Sequence, residues 1–138
     1  MKLRRFTVGL AFAAAAAAGC SGGSGDALTG TPAAVTLLDV QTQVFSPNCA
    51  TGFCHIGAGA PHGLDLSSGA AAANLIDLPS EQLPQFLRVE PGNATDSYLF
   101  MKLQGDPRIN GDQMPAENPP LSAGQLLLIE SWIDQGAN

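Results

Sequence analysis

A chain of 138 residues is long enough for one domain of ordinary size once flanking segments are set aside. Twelve acidic and six basic residues give a formal net charge of −6, and three of the basic residues lie within the first five positions. Without those positions, three basic and twelve acidic residues remain, and the net charge is −9. Such a surface excludes binding to nucleic acid or anionic lipid by charge; it suits a partner with a basic face, or solubility alone.

The N-terminus has the three parts of a secretory signal. A basic head, residues 1–5, precedes an apolar run over residues 6–18, and small residues then lead to Cys20. The run is too short and too rich in alanine for a stable membrane span. The sequence therefore predicts a signal peptide over residues 1–19 rather than a permanent anchor helix.

The end of this signal, Ala17-Ala18-Gly19-Cys20, resembles the lipobox of bacterial lipoproteins, with alanine at the first position where that motif prefers leucine. The resemblance implies that Cys20 is acylated and becomes the first mature residue. The chain would then be a membrane-anchored lipoprotein on the periplasmic or cell-surface side, because several acyl chains hold a protein stably. In the alternative, an ordinary signal peptide leaves Cys20 as a spare thiol.

The mature chain divides into a tether and a domain. Residues 21–34 are rich in Gly, Ser, Thr and Ala and show no apolar periodicity, so residues 20–34 are predicted to be the lipidated cysteine and a flexible tether. The folded domain is predicted over residues 35–138, without an internal repeat.

The first predicted helix of the domain covers Thr36–Phe45. Thr36 is a candidate N-cap, and Asp39, three residues later, completes the pattern of a capping box. Apolar residues recur on one face of this segment. Pro47 disfavours helical geometry at Ser46, which predicts that the helix ends there.

The elements predicted between the first and last helices are short. Ala70–Leu75 is predicted as a helix or a loop, and Leu83–Val89 is ambiguous. A two-turn helix is predicted from Tyr98 to about Gly105, followed by a long loop over Gln104–Pro120, which is typical of a functional segment. A final helix is predicted with an N-cap at Ser122, a stop at Gly136 and an apolar face that leaves Leu127 among polar residues. No segment has the strict alternation of a half-buried strand, so the fold class is all-α.

Two cysteines followed directly by a histidine carry the most informative chemistry. In Cys49-Ala50-Thr51-Gly52-Phe53-Cys54-His55, each thiol can add to a haem vinyl group and the imidazole can reach the iron. Four residues separate the cysteines instead of the usual two, so the intervening loop must bulge. The alternatives are a Cys49–Cys54 disulfide and a zinc site, for which His62, in a Gly-Pro-rich loop, is the only further histidine.

A second axial ligand to such a haem should be a soft or imidazole side chain far along the chain. Met101 lies in the short apolar helix, where packing in the core is the ordinary explanation. Met114 lies in the long loop before the final helix, and Pro115 stiffens the backbone there. Met114 is therefore the predicted ligand, with packing of a loop methionine on the core as the alternative.

These residues together resemble a small bacterial cytochrome c domain with an N-terminal attachment motif and a C-terminal methionine ligand. The chain is similar to a subgroup of cytochrome-like lipoproteins with the four-residue spacer. The resemblance covers residues 35–138, and the matching stretches are Val44–Cys49 with Cys54-His55, Gly63–Leu66, Val89–Gly92, Ser97–Leu99, Lys102-Leu103, Met114-Pro115, Leu121-Ser122 and Trp132–Ala137.

The resemblance implies an all-α, cytochrome c-like fold with few short helices and long loops wrapped around one haem. The first and last helices would cross, and one covalent haem c would lie in the remaining groove. It implies Cys49 and Cys54 as attachment residues and His55 and Met114 as iron ligands. Five residues are candidates to line the haem: Leu64, Leu66, Phe100, Leu121 and Trp132.

The function expected on this basis is one-electron transfer between redox partner proteins, not catalysis. No Ser-His-Asp set or other nucleophile constellation appears, and with both axial positions filled no coordination site is open to a substrate. The main alternative is a haemless structural or binding lipoprotein with a Cys49–Cys54 disulfide. A third keeps the haem but leaves Met114 unligated, as a ligand-binding or peroxidatic centre.

Overall fold

A computed structural model describes residues 33–52 and 54–138. The chain divides into the units Met1–Thr31 and Pro32–Asn138, and the described residues all belong to the second. The predicted signal peptide and Cys20 lie outside the described residues, as does most of the predicted tether. Within residues 33–52 and 54–138, no helix is both long enough and apolar enough to span a membrane.

The first helix starts at the predicted capping box. The Thr36 Oγ1 accepts a hydrogen bond from the Asp39 N–H at 3.3 Å, and the Asp39 carboxylate accepts one from the Thr36 N–H at 2.9 Å. Helix α1, Leu37–Val40, follows and continues without a break as a π-helix over Gln41–Cys49. The capping box is therefore confirmed, because its residues act within one turn of chain.

The prediction that Pro47 ends this helix is wrong, since Pro47 lies inside the π-helix. In an α-helix the proline ring collides with the carbonyl four residues earlier, but the wider π-turn moves that carbonyl aside. The carbonyl in question belongs to Gln43, and it accepts a hydrogen bond from the Gln125 side chain at 3.1 Å. The Gln125 side chain from the last helix thus contacts the turn that contains Pro47.

The middle of the chain is mostly irregular. A 3-10 turn covers Pro61–Gly63, and the short helix α2 covers Ala71–Leu75, which resolves the prediction of a helix or a loop. The ambiguous Leu83–Val89 forms no helix; two isolated bridges, Ile76 to Val89 and Pro79 to Leu87, join its later part to the chain after α2. The described residues contain no β-strand.

The two later helices agree with the predictions. Helix α3 covers Tyr98–Gln104 and ends at Gly105, whose φ of 74° is left-handed and therefore suits glycine. Helix α4 covers Ala123–Asp134, and its N-cap Ser122 forms a capping box with Gln125. Gly136 follows its end with a φ of 101°. Leu127 is 61% exposed, as the polar positions around it predicted.

The first and last helices contact each other across the core. The rings of Phe45 and Trp132 meet edge to face, with centroids 6.4 Å apart and an interplanar angle of 86°. The Asn138 carbonyl accepts hydrogen bonds from the Leu37 N–H at 3.0 Å and from the Trp132 indole at 3.1 Å. These contacts join the two ends of the domain. The loops between the first and last helices are therefore held around one core.

Candidate functional site

The attachment motif forms a closed loop at the end of the π-helix. Cys49 is the last residue of that helix and is buried. The His55 N–H donates to the Cys49 carbonyl at 3.0 Å, and the Cys54 N–H donates to the Thr51 carbonyl at 2.9 Å. Gly52 has a φ of 53°, which lets the chain turn back within the loop. The hydrogen bond between Cys49 and His55 therefore keeps the two ends of the motif together.

Both cysteines of the motif are free thiols. Cys49 is buried and Cys54 is half-buried. Burial, together with the neighbouring Cys54, raises the pKa of Cys49 to about 12, because a thiolate is poorly solvated there. Cys49 is thus held as a neutral thiol.

His55 is held in one orientation by its backbone neighbours. Its Nδ1 lies 3.1 Å from the Leu64 carbonyl, which can only accept, so Nδ1 carries the proton and Nε2 keeps its lone pair. Burial lowers the pKa of His55, with smaller contributions from three nearby basic side chains, and the hydrogen bond to Leu64 only partly offsets this. The ring is therefore a neutral imidazole with a metal-binding nitrogen and a fixed tautomer.

Two cavities share Cys49, His55, His62 and Met114 in their walls. The narrow cavity has a volume of about 100 Å³, and five of the fifteen residues that line it are leucines: Leu64, Leu66, Leu75, Leu99 and Leu103. The wider cleft has a volume of about 570 Å³ and is also lined by Cys54 and by Pro115. That volume lies in the usual range for small-molecule and cofactor sites.

Met114 is half-buried and reaches the cavity walls from the long loop. Its backbone N–H donates to the Lys102 carbonyl at 2.8 Å, near the end of α3. Met101 is fully buried in α3 and lines neither cavity. The prediction that Met101 packs in the core is therefore confirmed, and the structure brings Met114 together with His55 and Cys49.

Of the five residues predicted to line the haem, only Leu64 and Leu66 line a cavity. Phe100, Leu121 and Trp132 belong to the hydrophobic core and line neither cavity, so for them contact with a haem stays a prediction. Their burial could be predicted from the apolar pattern of the sequence. Whether they face a cavity or another side chain depends on how the helices pack.

Several wall residues were not foreseen from the sequence. Leu99 and Leu103 lie four residues apart on α3, a spacing that places both on one helix face. Arg88 and Lys102 are two of the three basic residues that follow Cys20, and both line the narrow cavity. Because so few basic residues follow Cys20, each of them could have been singled out from the sequence as a candidate site residue.

His62 has the exposed position predicted for it, but it lies at the edge of the site. Its Nδ1 is 3.2 Å from the Glu81 carboxylate, and its side chain is 52% exposed. The Arg88 guanidinium donates to the His62 carbonyl at 2.7 Å and to the Asn74 carbonyl at 2.8 Å. Arg88 thereby ties the 3-10 turn to α2 on one side of the narrow cavity.

Within residues 33–52 and 54–138, no group of three or more His, Cys, Asp or Glu side chains is arranged to hold a metal ion by itself. No protein-family model matches the chain. No curated protein and no solved structure is significantly similar to it. The residues of the site are therefore the basis on which its function is inferred.

Proposed function

We propose that the protein is an exported c-type cytochrome that carries single electrons. Cys49 and Cys54 would hold one haem covalently, and His55 and Met114 would bind its iron. One observation carries the proposal: both thiols of the motif, an imidazole whose Nε2 keeps its lone pair, and a thioether line the same cleft. The expected fold is the cytochrome c-like class, with which the short helices and long loops are compatible.

The chemistry of these residues fits the group. Covalent attachment needs free thiols, and both cysteines of the motif are free. Neutral imidazole and thioether are an established ligand pair for haem iron in cytochromes. The wider cleft of about 570 Å³, which both cysteines, His55 and Met114 line, has the volume that a macrocycle needs. When bound, haem supplies a one-electron couple between ferric and ferrous iron.

The side chains of the site would set the properties of that couple. The Leu64 carbonyl fixes the tautomer and orientation of His55, as the outer neighbours of metal ligands commonly do. The Met114 thioether donates weakly to ferric iron and so favours the reduced state, which raises the potential. Two protein ligands leave no coordination site for a substrate, so we propose a carrier rather than an enzyme. Its acidic surface suits redox partners with a basic docking face.

The proposal is tested by the absorption of the purified protein. We expect haem that stays on the chain after denaturation, detected by a haem stain, and a reduced-minus-oxidised difference spectrum typical of c-type haem. A variant with both Cys49→Ser and Cys54→Ser is the matched control and should show neither. A haemless protein whose Cys49 and Cys54 resist thiol labelling until reduced would instead favour the structural lipoprotein with a disulfide.

The membrane tether gives a separate prediction. Cys20→Ser should move the protein from the membrane fraction to the soluble fraction while covalent haem persists, because the anchor and the domain are separate parts of the chain. Fractionation of cells followed by a haem stain of each fraction measures both properties. Retention of the Cys20→Ser protein on membranes would show that another surface or a partner holds it there.

A further inference from the structure

The loop that carries Met114 is fastened to the end of α3. Between Gly105 and Leu121 the chain forms no helix. Near Met114, two hydrogen bonds connect it to α3: the Met114 N–H donates to the Lys102 carbonyl, and the Gln113 side chain donates to the Leu103 carbonyl, each at 2.8 Å. The position of the Met114 side chain therefore depends on the last turn of α3.

The Lys102 side chain makes a second connection to the same loop. Its Nζ donates to the Asn110 carbonyl at 3.0 Å and to the Asp112 carbonyl at 2.6 Å. Gly111 lies between these two carbonyls with a φ of 74°, and a Cβ there would lie 3.9 Å from Nζ. The backbone of the loop thus bends closely around the ammonium group.

The setting of Lys102 is unusual for a lysine. The residue is 8% exposed, and it lines the narrow cavity together with His55 and Met114. No carboxylate oxygen of the described residues lies within 4.0 Å of its Nζ. Burial of an ammonium is costly, and the Asp112 carboxylate attracts this one only from beyond that distance. The hydrogen bonds from Nζ to the two loop carbonyls offset this cost. They also connect Lys102 to the loop that carries Met114.

We propose that Lys102 is the positioning residue for Met114. Its ammonium holds the bend over residues 110–112, and its carbonyl holds the Met114 N–H, so that the thioether stays at the wall it shares with His55. The inference rests on the proposed function, since it assigns a role within the same site. It predicts that loss of the ammonium frees Met114 from the iron without affecting attachment.

The test uses the haem-loaded protein with Lys102→Leu, which keeps an aliphatic side chain at the wall and removes the ammonium without adding a possible iron ligand. Loss of a charge-assisted hydrogen bond should weaken the Met114-bound state, so the apparent dissociation constant for carbon monoxide at reduced haem should fall about tenfold or more. Hydrogen exchange of the backbone amides of residues 110–114 should become faster. Covalent haem content should stay that of the parent.

A second variant, in the loop itself, tests the contact between Lys102 and residues 110–112. Gly111→Ala leaves α3 and the core intact but strains the left-handed bend, so it should weaken the contact with Lys102 and lower the same carbon monoxide dissociation constant. It also provides the test if the Lys102→Leu protein does not fold. Arg108→Gln is the control: Arg108 fastens the same loop to Asp96 at 2.9 Å and lines neither cavity, so carbon monoxide binding should match the parent.

The outcomes separate this inference from the proposed function. Absence of haem from the parent would overturn both. A haem-loaded Lys102→Leu protein that binds carbon monoxide as weakly as the parent, with unchanged exchange at residues 110–114, would overturn the inference alone. A lower reduction potential without a gain in carbon monoxide binding would also overturn it, because Lys102 would then act only through its charge.

Discussion

Cys54→Ser, made with Cys49 intact, is expected to remove most covalent haem and to leave little folded protein. Cys54 is half-buried, so replacement of its sulfur by oxygen costs little packing by itself. The large effect should come from the missing haem, which would leave the leucine-walled cavity exposed to water and the attachment loop without its connection to the Met114 loop. A domain of about a hundred residues has a limited core to absorb that loss.

Haem content per chain and resistance to a protease measure the two parts of this expectation. Cys20→Ser is the matched control, since it makes the same chemical change outside the domain and should preserve both. A Cys54→Ser protein that is well folded and protease-resistant without haem would contradict the proposed function. It would favour a structural or binding lipoprotein whose fold needs neither a haem nor a disulfide.

The features that could be predicted from the sequence are those that depend on residues close together in the chain. The capping boxes of Thr36 and Ser122 each depend on residues three positions apart, so the sequence determines them directly. Gly105 ends α3 for the same reason, because only its own backbone conformation is required. Pro47 could not be placed correctly, since the rule that proline ends a helix holds for α-helices, and the sequence does not show that this segment is a π-helix.

The candidate site likewise has a part that could be predicted from the sequence and a part that could not. Cys49, Cys54 and His55 form one short motif, and the structure keeps its ends together. The remaining walls come from segments that are distant in sequence, such as Leu75 in α2 and Leu99 in α3, and only the packing of the helices brings them to one cavity. Periodicity shows which face of a helix is buried, but it does not show whether that face meets a cavity or another side chain.

Met114→Ala is the variant that tests the iron ligand. It should keep covalent haem, since the attachment residues and His55 are unchanged. It should lower the reduction potential, because the thioether that favours ferrous iron is lost. The reduced variant should also bind carbon monoxide, which the parent should not. A redox titration and the absorption of the reduced protein under carbon monoxide measure these effects.

Met101→Ala is the matched control, and its outcome decides between the two methionines. Met101 is fully buried and lines neither cavity, so its loss should destabilise the fold by about 2–5 kcal/mol without opening the iron. If the two variants behaved the other way round, Met101 would be the ligand. If neither opened the iron, His62 would be the next candidate, because it lines both cavities and its imidazole, like that of His55, is a common ligand of haem iron. A parent protein that already bound carbon monoxide would mean that Met114 leaves the iron open, as in a ligand-binding or peroxidatic centre.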